Sequence, residues 1–191
     1  GGDVWASGTI KDQDMIITSN MDIVAEDGEF EGVTNRYAAI GHTQDSTMTV
    51  TAKPGVMVDS VVTATNGRAM GIVNVGNGVL NVNGNYSFAL NADTVRGIRN
   101  NGSHDINLTG DFIIQAVSKG KNSNNDVVVG VEAFNGTNIT VNGDKLNIDI
   151  TTDNARIIGV QNFNNNGETI TFNSNDTSIK AVQIGTITYN T

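Results

Sequence analysis

The amino-acid sequence predicts an all-β fold, a right-handed parallel β-helix of about six triangular rungs with three short strands in each. Three observations carry this expectation. Apolar segments centred on glycine recur with a period of roughly 29 residues, apolar residues alternate with polar ones after each segment, and corner-forming residues separate the alternating stretches. The chain reads as a single solenoid unit over 1–191, with 1–35 as an irregular first rung and 36–191 as five repeats.

The first strand of each repeat holds Ala39-Ile40-Gly41, Ala69-Met70-Gly71-Ile72, Val95-Arg96-Gly97-Ile98, Val128-Val129-Gly130-Val131 and Ile157-Ile158-Gly159-Val160, and the five glycines align as one column. About ten residues further on, Met48/Val50, Leu80/Val82, Ile106/Leu108, Ile139/Val141 and Ile170/Phe172 alternate with polar residues, the signature of a half-buried strand. The third strands carry Val62/Ala64, Phe88/Leu90, Ile114/Ala116, Leu146/Ile148/Ile150 and Ile179/Ala181. Between second and third strands stand Gly84-Asn85, Gly110-Asp111, Gly143-Asp144 and Ser174-Asn175, residues that make tight corners. Stacking such coils pairs each strand with its counterpart in parallel and buries the inward residues as a column. The first rung is read from Val4-Trp5-Ala6, Met15-Ile16-Ile17 and Met21-Asp22-Ile23-Val24, followed by an acidic loop from Glu26 to Glu31.

Composition fits a thin solenoid better than a single compact core. Apolar residues make up 38% of the chain, no segment sustains a helical apolar stripe, and the spacers are filled by 27 asparagines together with Gly and Thr. A Greek-key sandwich is the fallback. With 11 basic and 20 acidic residues, net −9, the chain lacks the concentrated cationic surface that nucleic acid or an anionic membrane demands. The absence of cysteine excludes disulfides, thiolate metal sites and cysteine nucleophiles. There is no apolar run long enough to span a bilayer, and Gly1, Gly2 and Asp3 do not open a leader peptide. Neither end carries an amphipathic capping helix, so the sequence reads as a piece of a longer solenoid.

The glycine-centred strands, segments of the type Asn138-Ile139-Thr140-Val141-Asn142-Gly143-Asp144, the lack of cysteine and the acidic Asn/Thr/Gly-rich surface together resemble the passenger region of bacterial autotransporters. Two-partner secreted haemagglutinin-like proteins share the same look. The resemblance implies a bacterial outer surface, anchorage to the outer membrane through a part outside this sequence, and adhesion or self-association. The expected partner is a host or bacterial cell-surface protein or glycan, or a second copy. No cofactor, nucleic acid or direct membrane insertion is expected.

Polysaccharide lyases and hydrolases also use this architecture, with converging carboxylates. Asp111 and Asp144 occupy corresponding corners and would stand roughly 5 Å apart, close enough for an acid/base or Ca²⁺ pair. Asn85 and Asn175 in the same corner column favour a structural role for that position. His42, aligned with Ile72, Ile98, Val131 and Val160, and His104, in a Gly-Ser-His-Asp turn, assemble no triad or metal trio. Gly76-Asn77-Gly78 lacks the Lys and Ser/Thr of a phosphate loop. The segment from Ser118 to Asp126 is a longer connection than its counterparts, and Lys119, Lys121, Asn122, Asn124 and Asn125 make it the candidate binding loop. Asn-X-Ser/Thr triplets begin at Asn85, Asn101, Asn107, Asn135, Asn138 and Asn175.

Overall fold

The structure, a computed structural model, describes residues 4–5, 13–17, 21–25, 29–30, 33–34, 36–65, 67–120, 127–163 and 167–184, with side chains from residue 37 onward. The strands are β1 (Val4–Trp5), β2 (Gln13–Ile17), β3 (Met21–Ala25), β4 (Glu29–Phe30), β5 (Val33–Thr34), β6 (Arg36–His42), β7 (Met48–Ala52), β8 (Met57–Ala64) and β9 (Arg68–Asn74). They continue with β10 (Leu80–Asn83), β11 (Asn85–Asn91), β12 (Thr94–Asn100), β13 (Ile106–Thr109), β14 (Phe112–Ser118), β15 (Val127–Ala133), β16 (Ile139–Thr152), β17 (Arg156–Asn162) and β18 (Ile170–Gln183). There is no helix among the described residues.

The protein is a parallel β-solenoid of about four turns. One sheet runs β1-β6-β9-β12-β15-β17, and a second path runs β2-β7-β10-β13-β16-β14-β11-β8-β3, with β18 pairing β16. Every pairing in both sheets is parallel; only the short β4–β5 hairpin is antiparallel. The first sheet, the file β7-β10-β13-β16 and the file β8-β11-β14-β16 enclose one apolar core.

Inward files follow from the alternation. Register pairs Ile40, Ile72, Ile98, Val131 and Val160 along the first sheet. Met48, Leu80, Ile106, Ile139 and Ile170 form a second file, with Val50, Val82, Leu108, Val141 and Phe172 beside it. Tyr86 stacks on Phe88 and Phe112 at centroid distances of 6.0 and 5.7 Å. Its hydroxyl donates to the Asn83 carbonyl at 3.2 Å, and burial pushes the phenol pKa up.

The register corrects three alignments drawn from spacing. Ile40 pairs with Ile72, so Ala39, not Gly41, stands in the column of Gly71, Gly97, Gly130 and Gly159, and His42 falls in line with Asn74 instead of the isoleucine file. In the third strands Ser60, not Val62, pairs with Phe88; a buried serine at an inward position broke the apolar pattern. Two of the corners also differ. Gly84 and Gly110 take φ of 109° and 129° and end their strands, whereas β16 runs through Gly143-Asp144 and β18 through Ser174-Asn175 without a break, so those turns carry one 14-residue strand in place of two short ones.

The glycine column has a steric cause. A Cβ on Gly71, Gly97 or Gly130 would lie 2.7, 2.4 or 2.5 Å from the carbonyl oxygen of the glycine one turn on, well inside van der Waals contact. Glycine there lets successive turns approach while the flanking Ile and Val residues reach into the core.

Candidate functional site

The most regular surface lies on the outward side of the file β7-β10-β13-β16-β18. The residues between the inward ones line up as Thr49, Asn81, Asn107, Thr140 and Thr171, and as Thr51, Asn83, Thr109, Asn142 and Asn173. All ten are Thr or Asn, none is charged, and all are at least partly exposed. Strand spacing sets about 4.8 Å between members of a column, and alternation sets roughly 6.7 Å between the columns. Amides bridge the turns: Asn107 Nδ2 donates to Asn81 Oδ1 at 3.0 Å, and Asn173 Nδ2 to Asn142 Oδ1 at 2.9 Å. The result is a grid of hydroxyl and amide groups fixed to a rigid sheet.

A second polar ladder is buried at the corner after the first sheet. Asn74 donates to the carbonyls of Gly78 and His104 at 3.0 and 3.2 Å and accepts from Gly76 N–H at 3.1 Å. Asn100 repeats this with His104, Asn138 and Gly102. Each amide thus satisfies backbone groups in its own turn and the next, which is what permits a wholly buried asparagine. The repeated Asn-X-Gly at Asn74 and Asn100 is a sequence signal that period-two reading overlooks. His42 occupies the same column and is wholly buried. Neither ring nitrogen has a well-formed hydrogen bond to the described residues, and desolvation lowers its pKa, opposed by the nearby Ser46 carbonyl.

Asp111 pairs in register with Lys145, because three residues separate Asn142 from Leu146 where only two separate Thr109 from Phe112. Its Oδ1 accepts from Lys145 N–H at 2.9 Å, and its own N–H donates to Asn85 Oδ1 at 3.0 Å. Asp144 accepts instead from Asn175 Nδ2 at 2.9 Å. Both carboxylates hold neighbouring turns together at the corner. His104 is exposed, with Nδ1 3.2 Å from Ser103 Oγ. No group of three or more metal-ligating side chains occurs among the described residues.

Of the candidate loop, Lys119 is placed: it is exposed, follows β14 and accepts at its carbonyl from Asn154 Nδ2 at 3.3 Å. Lys121, Asn122, Asn124 and Asn125 lie outside the described residues, as do Glu26, Asp27, Gly28 and Glu31 of the acidic loop. Asn138 bonds both oxygens of Asp105 at 3.2 Å, so its amide, like that of Asn107, is engaged along the ladder.

Sequence reasoning also missed the charge distribution. All five arginines of the chain, Arg36, Arg68, Arg96, Arg99 and Arg156, lie in strands of the first sheet. On its outer side Glu132, 2% exposed, accepts from Arg96 Nε at 2.5 Å and Arg99 Nη1 at 2.8 Å, while Arg99 lies 5.0 Å above the Phe134 ring. Burial lowers the Arg96 pKa, and Glu132 opposes that shift. Desolvation of these buried charges offsets much of their attraction, so the cluster adds little net stability.

Together these features define a parallel β-solenoid whose outer surfaces are built from repeated polar ladders. Comparison of the chain with protein-family models, with the curated proteins and with solved structures finds no match.

Proposed function

We propose that this protein is a non-catalytic binding scaffold of the bacterial cell surface, an adhesin of the autotransporter-passenger type that attaches to host or neighbouring cells through a surface protein or glycan. The observation that supports it most is the uncharged Thr/Asn grid on a rigid parallel sheet. Such a surface offers many fixed donors and acceptors at a regular pitch with little ordering entropy left to lose. In this reading the winding is right-handed, with a triangular section and six rungs, in keeping with the six-strand order of the first sheet. The protein is displayed outside the cell, held at the outer membrane by a part beyond this sequence, and needs no cofactor. Beads coated with the chain are expected to adhere to epithelial or bacterial cells above albumin-coated controls. Adherence no greater than that of albumin-coated beads on every cell type tested defeats the reading.

The same grid favours a second reading, homotypic association. Asn and Thr each supply both donors and acceptors, so the surface is complementary to itself, and being uncharged it lets two copies of a chain with net charge −9 meet without like-charge contact. Sedimentation velocity over a concentration series is expected to show dimers that strengthen with added salt as the remaining repulsion is screened. A single monomer boundary at every concentration refutes it.

A further inference from the structure

At the corner where the third file of strands returns to the first sheet, an open cleft of about 220 Å³ crosses three successive turns. Thr63 and Thr65 wall it in one turn, Asn91 and Asp93 in the next, and Lys119 in the third. Register pairs Asn91 with both Thr63 and Val117. Thr65, Asp93 and Lys119 each follow these residues by two positions, so they belong to three adjacent turns. The room exists because Ala64 and Ala92, each 5% exposed, present only methyl groups there. The backbone under the rim is tied across turns: Ser118 Oγ donates to the Asp93 carbonyl at 2.6 Å, and Gly120 N–H donates to Ser118 Oγ at 3.1 Å.

The lining selects the chemistry of an occupant. The volume falls below the roughly 300–1,000 Å³ of sites for drug-sized molecules and suits one sugar-sized ring. Among the described residues, two alanines supply the apolar wall and no aromatic ring lines the cleft, so an apolar ligand gains little. An anion placed at Lys119 meets Asp93 one turn away, and a cation placed at Asp93 meets Lys119; in each case a like charge offsets the attraction. A neutral polyol meets neither penalty. The Asp93 carboxylate accepts from hydroxyls, the Lys119 ammonium donates, and Asn91 and the two threonines do both.

We infer that this cleft is a subsite for one neutral hexose unit of a glycan. The inference rests on the adhesin reading and specifies its ligand.

Methyl glycosides of glucose, galactose, mannose and N-acetylglucosamine, with glucuronic acid and glucosamine as charged counterparts, are offered singly to the whole chain. Binding is followed by saturation-transfer NMR. At least one neutral glycoside is expected to bind in preference to both charged sugars, about tenfold more weakly to Asp93→Asn and to Asn91→Ala, and not at all to Ala92→Leu, which fills the cleft. The surface substitutions at Asp93 and Asn91 serve even if Ala92→Leu unfolds the chain. Failure of every neutral glycoside to bind, preference for a charged sugar, or binding indifferent to Asp93→Asn and Asn91→Ala overturns the inference. Adherence of coated beads separates this from the broader reading. Wild-type and Asp93→Asn beads that adhere alike sink the subsite and leave the adhesin standing, whereas glycoside binding by a chain that adheres to no cell sinks the adhesin and leaves the subsite.

Discussion

Ile98 and Val160 stand in one file of the first sheet, in strands of the same glycine-centred pattern, yet Ile98 is fully buried and Val160 is 40% exposed. The same contrast separates Ile114 from Ile179, and Gly97 from Gly159: a methyl on Gly97 meets the Gly130 carbonyl at 2.4 Å, whereas on Gly159 it meets, among the described residues, only the Ile179 side chain at 3.0 Å. Identical patterns give different burial because an inward residue is covered by the turns on either side of it, and β17 has a described partner on one side only. Burial in a solenoid is a property of neighbours, and stability is close to a sum of contacts between adjacent turns.

Four substitutions sharpen that contrast. Ile98→Ala opens a cavity between covered turns and is expected to destabilise by about 2–5 kcal/mol, while Val160→Ala removes less volume from a half-open site and is expected to cost about 1 kcal/mol or less. Denaturant unfolding of both variants checks this, and equal shifts would mean the last turn is as well packed as the interior. Gly97→Ala forces a methyl against a carbonyl and is expected to cost about 1–3 kcal/mol. Ala39, which fills the equivalent place two strands earlier in the sheet, shows that this column accepts a methyl there. Gly159→Ala, with no glycine carbonyl against it among the described residues, is expected to shift the midpoint less.

The smallest effect concerns His42, at the end of the asparagine ladder. Burial holds its pKa below the ordinary value of about 6.5. The unfolded chain therefore binds more protons as pH falls through about 6.5 toward the lowered folded value, and stability declines across that window and is recovered as pH rises. His42→Asn restores the ladder's amide, is expected to add about 1 kcal/mol at neutral pH, and flattens the pH dependence of the unfolding midpoint. A variant with the wild-type slope would show that His42 does not titrate within the fold.

The inward files were legible in the sequence because alternation is imposed by the pleat and repeated in every turn. Exact register was less so. Gly41 lies two positions beyond its apparent column, and only the pairing of Ile40 with Ile72 reveals that Ala39 belongs there. Ser60 hides an inward position behind a hydroxyl, and the extra residue between Asn142 and Leu146 moves Lys145, not Asp144, opposite Asp111. The Thr/Asn grid could be read from residues alternating with the core, although its lack of charge emerges only when strands are stacked. The Ala64–Ala92 cleft left no sequence trace, since it is made by small side chains from separate turns that become neighbours through winding.

Members of the Ile40–Val160 file follow one another at intervals of 32, 26, 33 and 29 residues, and each turn is secured chiefly to the ones beside it. A rod of this kind held at one end and pulled at the other gives way by peeling, releasing one coil while the rest stays wound. Every coil set free lengthens such a rod by roughly 90–110 Å at full extension, so a sudden load across it is spread over distance.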